Sequence, residues 1–232
     1  YINRYGVCPG QRTIVVCNND DAYRTAIDLH HAGALVVVID LRANATGPLM
    51  RAVRDAGIEI LQGHAIIAAY GNHRVARVEI APVNDGVTEI TGYIDHRDCD
   101  LIAMSGGLSP AVHLHSQARG KLQWDDAKLC FRPSATHEPS FNIGACNGSF
   151  DLTAGLKEAV RAGTKAASAT GHKTIALDTP IVPSHKQSWN PLAAWKIPNG
   201  HAAGRGPKAF VAFQKDVSAS EVSLAAREGS QW

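Results

Sequence analysis

One stretch near the start, residues 11–42, restricts the fold more than any other part of the chain. A short apolar run at 13–17 leads into a helical pattern at 20–32, and a second apolar run at 34–39 ends in Asp40. This order is typical of the first strand–turn–helix–strand unit of a dinucleotide-binding domain, where an acidic residue about 20 positions on holds a ribose hydroxyl. We therefore predict an α/β fold, with Asp40 as a candidate ribose-binding residue.

The turn of this unit lacks the glycines that let backbone approach a pyrophosphate. Asn18, Asn19, Asp20 and Asp21 stand there instead. Asn and Asp cap helix N-termini well, but two carboxylates at that position repel a phosphate. Arg42 stands two residues after Asp40 and either pairs with it or binds a 2′-phosphate. A Rossmann-like scaffold with a lapsed binding site is therefore the alternative to a working one.

The rest of the chain alternates between helical and β-rich patterns. Gly47-Pro48 opens a helix that Gly57 ends, and a third strand is predicted at 58–61. The β-rich runs that follow lie at 65–70, 75–81 and 88–94, with turn signals at Gly71-Asn72 and at 84–86. These runs predict an antiparallel β meander.

Further elements are predicted beyond the meander. They are a buried strand at 100–105 that runs into Gly106-Gly107, a strand and turn at 141–148, a helix at 152–169, an irregular connector at 170–206 and a helical pattern at 218–229. A strand that runs into two glycines needs a special backbone conformation. We interpret that junction as a crossing between two domains.

Composition excludes several classes of partner. The 232 residues are 45% apolar, enough for a buried core, and the formal net charge is only +2. Because there is no basic block and no apolar stretch of roughly 20 residues, we expect no nucleic-acid partner, no membrane span and a cytoplasmic location. Five widely spaced cysteines without a C-x-x-C motif indicate buried free thiols.

The residues that most often carry chemistry form no strong motif. His113 and His115 are spaced like ligands on a strand, but no Cys, Asp or Glu accompanies them, so we predict no metal site. A Gly-x-Ser-x-Gly nucleophile elbow does not occur. No catalytic residue is assigned.

The turn at 144–148 is the second candidate site. Its glycines can expose backbone N–H groups to a phosphate or a ribityl chain, and Asn147 offers both a donor and an acceptor. Such turns also serve plain entry into a helix. Both interpretations stay open at this point.

Several long motifs, taken in order, point to a known family. They are Asn-Asn-Asp-x-Ala-Tyr-Arg-Thr-Ala (18–26), Ser-Gly-Gly-x-x-Pro-x-Val-His-Leu-x-Ser-Gln (105–117), Gly-Lys-Leu-x-Trp-Asp (120–125), Gly-Ala-x-Asn-Gly (144–148) and Lys-Ala-Phe-Val-x-Phe-Gln-x-Asp-Val (208–217). Together they resemble the α subunit of heterotetrameric sarcosine oxidase. The resemblance covers nearly the whole chain from about residue 10. The chain is thus similar to an internal fragment of that longer subunit.

The resemblance implies a Rossmann-like architecture of the two-dinucleotide-binding-domain flavoprotein reductases, with an incomplete outer domain. The implied domains are an incoming linker (1–10), an inserted dinucleotide-binding-like domain (11–100), a resumed part of the outer NAD/FAD-type domain (101–169), an irregular connector (170–207) and the start of a small helical segment (208–232).

The resemblance also implies cofactors and partners. Sarcosine would be oxidised at an FAD in the β subunit, electrons would pass to an FMN at the α/β interface and reduce oxygen to peroxide, and NAD would lie beside residues 144–148. Partners would be the β, γ and δ subunits, with tetrahydrofolate bound by a C-terminal domain absent from this chain. Activity, an oxidation of the CH–NH group of a donor, would need the full complex. The candidate cofactor-binding residues are Asp40, Ser105, Gly106, Gly107, Gly144, Ala145, Asn147 and Gly148.

One departure and two alternatives accompany the resemblance. Reductases of this architecture usually have Gly-Asp where this chain has Gly144-Ala145, so a carboxylate contact to the cofactor is absent. One alternative is a subunit of a related amino-acid or opine dehydrogenase, which passes electrons onward instead of to oxygen. The other is a non-catalytic scaffold subunit whose dinucleotide sites have lapsed.

Overall fold

The computed structural model describes residues 1–175, 177–180, 182, 191–194, 196–198, 200 and 208–229. The chain divides into two compact units, residues 1–105 with 192–232, and residues 106–191. The predicted inserted domain, 11–100, lies within the first unit. The domain boundaries drawn from the sequence stay predictions.

A four-stranded parallel sheet organises the first unit. Its elements are α1 (Ile2–Tyr5), β1 (Arg12–Cys17), α2 (Asp21–His31), β2 (Leu35–Asp40), α3 (Pro48–Asp55), β3 (Glu59–Gln62), β4 (His64–Gly71), β5 (Val75–Pro82), β6 (Asp95–Asp98) and β7 (Leu101–Ser105). The strand order is β3-β2-β1-β7, and every neighbouring pair is parallel. The α/β prediction and the strand–helix–strand unit at its start are confirmed.

The sheet is covered on both faces, which explains why its strands are almost continuously apolar. Ile14 and Val16 belong to a core cluster shared with the strands β4 and β5. Val15 and Cys17 belong to a second cluster, which is shared with α2 and α3. Since side chains alternate along a strand, β1 supplies both cores from one six-residue run.

The antiparallel meander is confirmed, but its third strand was placed wrongly. It consists of β4, β5 and β6, so the third strand is Asp95–Asp98 rather than residues 88–94. Asn84 Oδ1 accepts the backbone N–H groups of Thr88 (2.8 Å) and Glu89 (3.3 Å), and Val87 has a left-handed φ of 52°. This side-chain turn takes up N–H groups that a strand would have used, which overrides the local β propensity.

Gly71, the last residue of β4, is a position where a side chain cannot fit. A Cβ built there would lie 1.9 Å from the carbonyl oxygen of Arg74, whereas at Gly86 the nearest atom, in Thr88, is 3.7 Å away. Gly71→Ala should therefore lower the free energy of unfolding by about 1–3 kcal/mol, and Gly86→Ala should have a much smaller effect. Urea unfolding of the two variants checks this, and equal midpoints would contradict it.

The second unit combines a hairpin with one long helix. Its elements are α4 (His113–Gln117), β8 (Leu122–Asp125), β9 (Cys130–Pro133), a 3₁₀ helix (Gly144–Asn147) and α5 (Leu152–Ala169). The helix predicted at 152–169 is confirmed, and Asp151 caps it by accepting the N–H of Ala154 at 2.8 Å. The strand predicted in 141–148 is wrong, because local bonds from Gly148 and Ser149 back to Ala145 and Gly144 close a helical turn instead.

The C-terminal part contributes short elements to the first unit. They are β10 (Phe210–Ala212), a 3₁₀ helix (Phe213–Lys215), β11 (Val217–Ser218) and α6 (Ala219–Arg227). Helix α6 begins with a capping box between Ser218 and Glu221, which satisfies N–H groups at its start. Where the structure describes the connector predicted at 170–206, it contains no helix or strand. The remaining part of that prediction lies outside the described residues. No helix in the described ranges is long and apolar enough to cross a membrane.

Candidate functional site

The ends of strands β1 and β7 are tied together by side chains. The sheet order turns at β1, with β2 on one side and β7 on the other, and ligands of open parallel sheets bind at the carboxyl ends of such strands. Asn19 Nδ2 donates to both the carbonyl oxygen and the hydroxyl of Ser105, each at 3.1 Å. The candidate residue Ser105 therefore makes its polar contacts with the turn after β1.

A later part of the chain crosses the same strand end. The N–H of Leu192 donates to the carbonyl oxygen of Asn18 at 3.1 Å, and Asn18 Nδ2 donates to the carbonyl oxygen of Leu192 at 2.9 Å. Asn19 Oδ1 accepts the N–H of Asp21 at 3.0 Å, so an N–H at the start of α2 is satisfied within the chain. These contacts, with two carboxylates in the turn, do not fit a pyrophosphate on this helix.

Asp40 lies in a buried network of its own neighbours. Its carboxylate, 0% exposed, accepts the hydroxyl of Tyr23 at 2.5 Å and the backbone N–H of Arg42 at 2.9 Å. The Arg42 guanidinium donates to Asp40 at 3.0 and 2.7 Å and lies 2.8 Å from Asp20. The pairing of Arg42 with Asp40, one of the two alternatives left open by the sequence, is confirmed. A ribose contact by Asp40 stays a prediction.

The network changes the acidity of its members. Burial, followed by the hydrogen bond and the charge of Asp40, raises the pKa of Tyr23 above its usual value. Burial and the nearby charge of Asp40 also raise the pKa of the Cys17 thiol. For Arg42, burial lowers the pKa, but hydrogen bonds and charges from Asp40 and Asp20 outweigh it and raise the pKa overall. Cys17 is thus a protonated thiol near neutral pH, which suits packing and not nucleophilic chemistry.

The histidine and cysteine predictions are partly corrected. His115 lies on α4 and not on a strand, with Nε2 2.9 Å from the carbonyl oxygen of Lys121 and Nδ1 3.1 Å from Asn142 Nδ2. Within the described ranges, no group of three or more His, Cys, Asp or Glu residues is placed to hold a metal ion. All five cysteines are free, but Cys8 is exposed and Cys146 is only half-buried.

The glycine turn of the second unit is a more open candidate. Gly144 and Gly148 have φ values of 61° and 73°, which glycine adopts without strain. A Cβ at Gly144 would meet no atom within 4 Å, so the space beside this residue is open. Gly107 has a φ of 120°, and the space beside Gly106 and Gly107 is likewise open.

Glu158 of α5 holds this turn from one side. Its carboxylate accepts the N–H of Gly144 at 2.8 Å and the hydroxyl of Ser149, and it hydrogen bonds the Asn147 side chain. Lys128 Nζ donates to the carbonyl oxygen of Gly148 at 2.6 Å. Glu158 could not be recognised from sequence patterns, because it lies 14 residues beyond Gly144 and outside any motif.

Glu158 is charged near neutral pH. Partial burial raises the pKa of its carboxyl, but hydrogen bonds from Ser149, Gly144 and Asn147, with the charge of Lys128, outweigh burial and hold the pKa below its usual value. A carboxylate beside the turn disfavours a phosphate there. The open space beside Gly144 therefore fits a hydroxyl-bearing part of a dinucleotide, such as a ribose or a ribityl chain, better than its phosphates.

The structure groups the eight candidate cofactor residues into two sets. Asp40 and Ser105 belong to the first unit. The second unit contains the other six, which are Gly106, Gly107, Gly144, Ala145, Asn147 and Gly148. Four of these six lie in one turn, where Ala145 contributes its carbonyl oxygen as the acceptor for the N–H of Gly148.

Solved structures with the same arrangement of elements are flavoprotein reductases. Thioredoxin reductase from T. acidophilum covers 72% of this chain with a TM-score of 0.57 and 15% identity, and the chain covers 54% of it. The Lactococcus lactis thioredoxin reductase covers 68% with a TM-score of 0.54 and 19% identity, and the chain covers 52% of it. At these identities the likeness concerns the fold, and it confirms the predicted Rossmann-like flavoprotein reductase architecture.

Curated relatives come from one group of proteins. Sarcosine oxidase subunit alpha of Corynebacterium sp. (strain P-1) is 32% identical over 99% of this chain, and that of strain U-96 is 31% identical over 100%. The Rhizobium meliloti (strain 1021) subunit is 30% identical over 99%. No protein-family model matches the chain. The chain spans about a quarter of the length of these relatives, and over that quarter its resemblance to the α subunit of sarcosine oxidase is confirmed.

Proposed function

We propose that this chain is part of the α subunit of a sarcosine oxidase-type flavoprotein oxidoreductase. The complete complex would demethylate sarcosine oxidatively to glycine, an oxidation of a CH–NH donor, with formation of peroxide. The observation that carries the proposal is similarity to three sarcosine oxidase α subunits along 99–100% of the chain. Within the complex, the chain would contribute dinucleotide-cofactor binding and subunit contacts.

The cofactors and partners of the proposal are those of the family. NAD would lie at the Gly144–Gly148 turn, FMN at the subunit interface and FAD in the β subunit, and the γ and δ subunits with tetrahydrofolate would complete the cytoplasmic complex. The flavins would supply electron transfer. The residues of this chain would bind and orient NAD, with Asn147 and backbone groups of the Gly144–Gly148 turn meeting its hydroxyl groups. Gly106 and Gly107 would form the crossing between the two domains.

A structural role for the first unit is part of the same proposal. The contacts of Asn18 with Leu192 and of Asn19 with Ser105 occupy the end of the sheet where a nucleotide would bind. The internal pairing of Asp40 with Arg42 points the same way. The first unit would then be a Rossmann-like scaffold, and the second unit would carry the binding function.

An activity measurement on the complete complex tests the proposal. The whole subunit would be co-expressed with its β, γ and δ partners, and peroxide formation would be followed with and without sarcosine. We expect peroxide that depends on sarcosine. A complete, flavin-loaded complex that leaves sarcosine unchanged would refute the proposal, and oxidation with an artificial electron acceptor but not with oxygen would favour the dehydrogenase alternative.

A binding measurement separates the enzyme from the scaffold alternative. NAD titrated into the whole subunit should show saturable binding, and Asn147→Leu should weaken it about tenfold, the effect of one lost hydrogen bond of roughly 1–1.5 kcal/mol. Asn72→Leu, at an exposed position of the first unit, is the matched control. The absence of saturable binding in the wild type would favour a scaffold.

A further inference from the structure

We propose that Glu158 is the positioning residue of the Gly144–Gly148 turn, which it holds in the conformation that receives the cofactor. The inference rests on the proposed function for its consequence in binding. Both carboxylate oxygens are engaged, because Oε2 accepts the N–H of Gly144 and Oε1 accepts the hydroxyl of Ser149. One side chain thus bonds the first residue of the turn and the residue just beyond its end.

The turn makes few backbone hydrogen bonds of its own. It is a 3₁₀ helix of four residues, closed by the N–H of Gly148 on Ala145 (3.0 Å) and that of Ser149 on Gly144 (2.9 Å). Short 3₁₀ segments have poor hydrogen-bond geometry, and glycine loses more backbone entropy on ordering than any other residue. A turn with glycine at both ends therefore depends on side chains from outside it.

Helix α5 provides a firm base for Glu158. It has 18 residues and a side-chain cap from Asp151 at its start. The turn lies directly against it, since a Cβ added at Gly155 would be 3.5 Å from the Cα of Gly144. Because Glu158 comes three residues after Gly155, the two lie on the same face of α5, toward the turn.

The negative charge of Glu158 is partly balanced by the positive charge of Lys128. Lys128 donates to the carbonyl oxygen of Gly148 and contributes a favourable charge at Glu158. Glutamine in place of Glu158 has nearly the same shape but only one acceptor oxygen. One of the two carboxylate contacts would therefore be lost or would have to reverse its donor, and the remaining acceptor oxygen would be uncharged and weaker. The proposal accordingly requires the carboxylate and not merely the volume of the side chain.

Amide hydrogen exchange on the whole subunit tests the positioning role without any cofactor. Glu158→Gln should speed exchange in peptides covering 141–151 at least tenfold and leave the meander peptides unchanged. Glu138→Gln, whose side chain is 74% exposed in the same unit, is the matched control. Unchanged exchange at 141–151 in Glu158→Gln overturns the proposal, because a role in packing alone would be preserved by glutamine.

A second variant and a binding measurement complete the design. If Glu158→Gln does not fold, Ser149→Ala removes one bond from the carboxylate and should speed exchange at 141–151 about threefold, and no change there would overturn the proposal. NAD titration should show affinity at least tenfold weaker in Glu158→Gln than in Glu138→Gln. If the wild type binds no NAD while the exchange result is as expected, the positioning role holds and the proposed cofactor function fails.

Discussion

Replacing Arg42 by methionine should lower the free energy of unfolding by about 3–5 kcal/mol. Its guanidinium makes two hydrogen bonds to Asp40 and an ion pair with Asp20, and their side chains are 0% and 7% exposed. Methionine keeps most of the volume but leaves both carboxylates without a neutralising charge in a site that is almost closed to water. Losing one partner of a buried pair costs far more than the pair contributes net.

An exposed arginine provides the matched comparison. Arg97 pairs with Glu59 and Asp95, but its side chain is 37% exposed and theirs are 45% and 57% exposed. Arg97→Met should therefore cost less than about 1 kcal/mol. Urea unfolding of both variants, followed by hydrogen exchange in β1 and β2, measures the difference. Similar losses in the two variants would contradict the buried-network interpretation.

Raising the pH from 9 to 11 should lower the free energy of unfolding by about 4 kcal/mol through two residues of the same network. The folded pKa values of Cys17 and Tyr23 are raised, whereas their ordinary values are 9.0 and 10.0. Above those values the unfolded chain releases protons that the folded chain retains. The stability is thus complete below pH 9. It falls by about 1.4 kcal/mol per pH unit above pH 9 through Cys17, and by about the same amount again per unit above pH 10 through Tyr23.

Removal of the thiol isolates the contribution of Cys17. In Cys17→Ala, the decrease between pH 9 and 11 should shrink by about two thirds, because only the tyrosine contribution remains. Cys8→Ala, at an exposed thiol, should follow the wild type. Urea midpoints measured at half-unit pH steps give the two slopes. If the urea midpoint of Cys17→Ala falls with pH as steeply as that of the wild type, the thiol of Cys17 does not cause the loss of stability.

The fold could be predicted well where the sequence pattern was local. The runs at 13–17 and 34–39, the helix between them and the helix at 152–169 all appear in the structure within two residues. Apolar spacing and capping residues act over a few positions, so they can be recognised without a fold. The strand at 88–94 failed because Asn84, several residues away, uses its side chain to bind the backbone of Thr88.

The candidate site was predictable only in outline. The turn at 144–148 could be predicted from its two glycines, which adopt the positive φ angles that such turns need. Its hydrogen-bond partner Glu158 could not be predicted. The occupation of the first unit's strand ends depends on Asn18 and Leu192, which are 174 residues apart. A helix of the second unit brings Glu158 to the turn, and a returning segment brings Leu192 to Asn18.

The order of residues alone was therefore enough to establish an α/β chain with a Rossmann-like start and a likeness to one family. Periodicity and motifs are properties of the amino-acid order and do not depend on tertiary structure. The difference between the polar contacts of the two units arises from folding. Polar side chains close the strand ends of the first unit, and a carboxylate from α5 supports an open turn in the second. Such contacts join residues distant in sequence, and their geometry exists only once packing has placed the backbones within hydrogen-bonding distance.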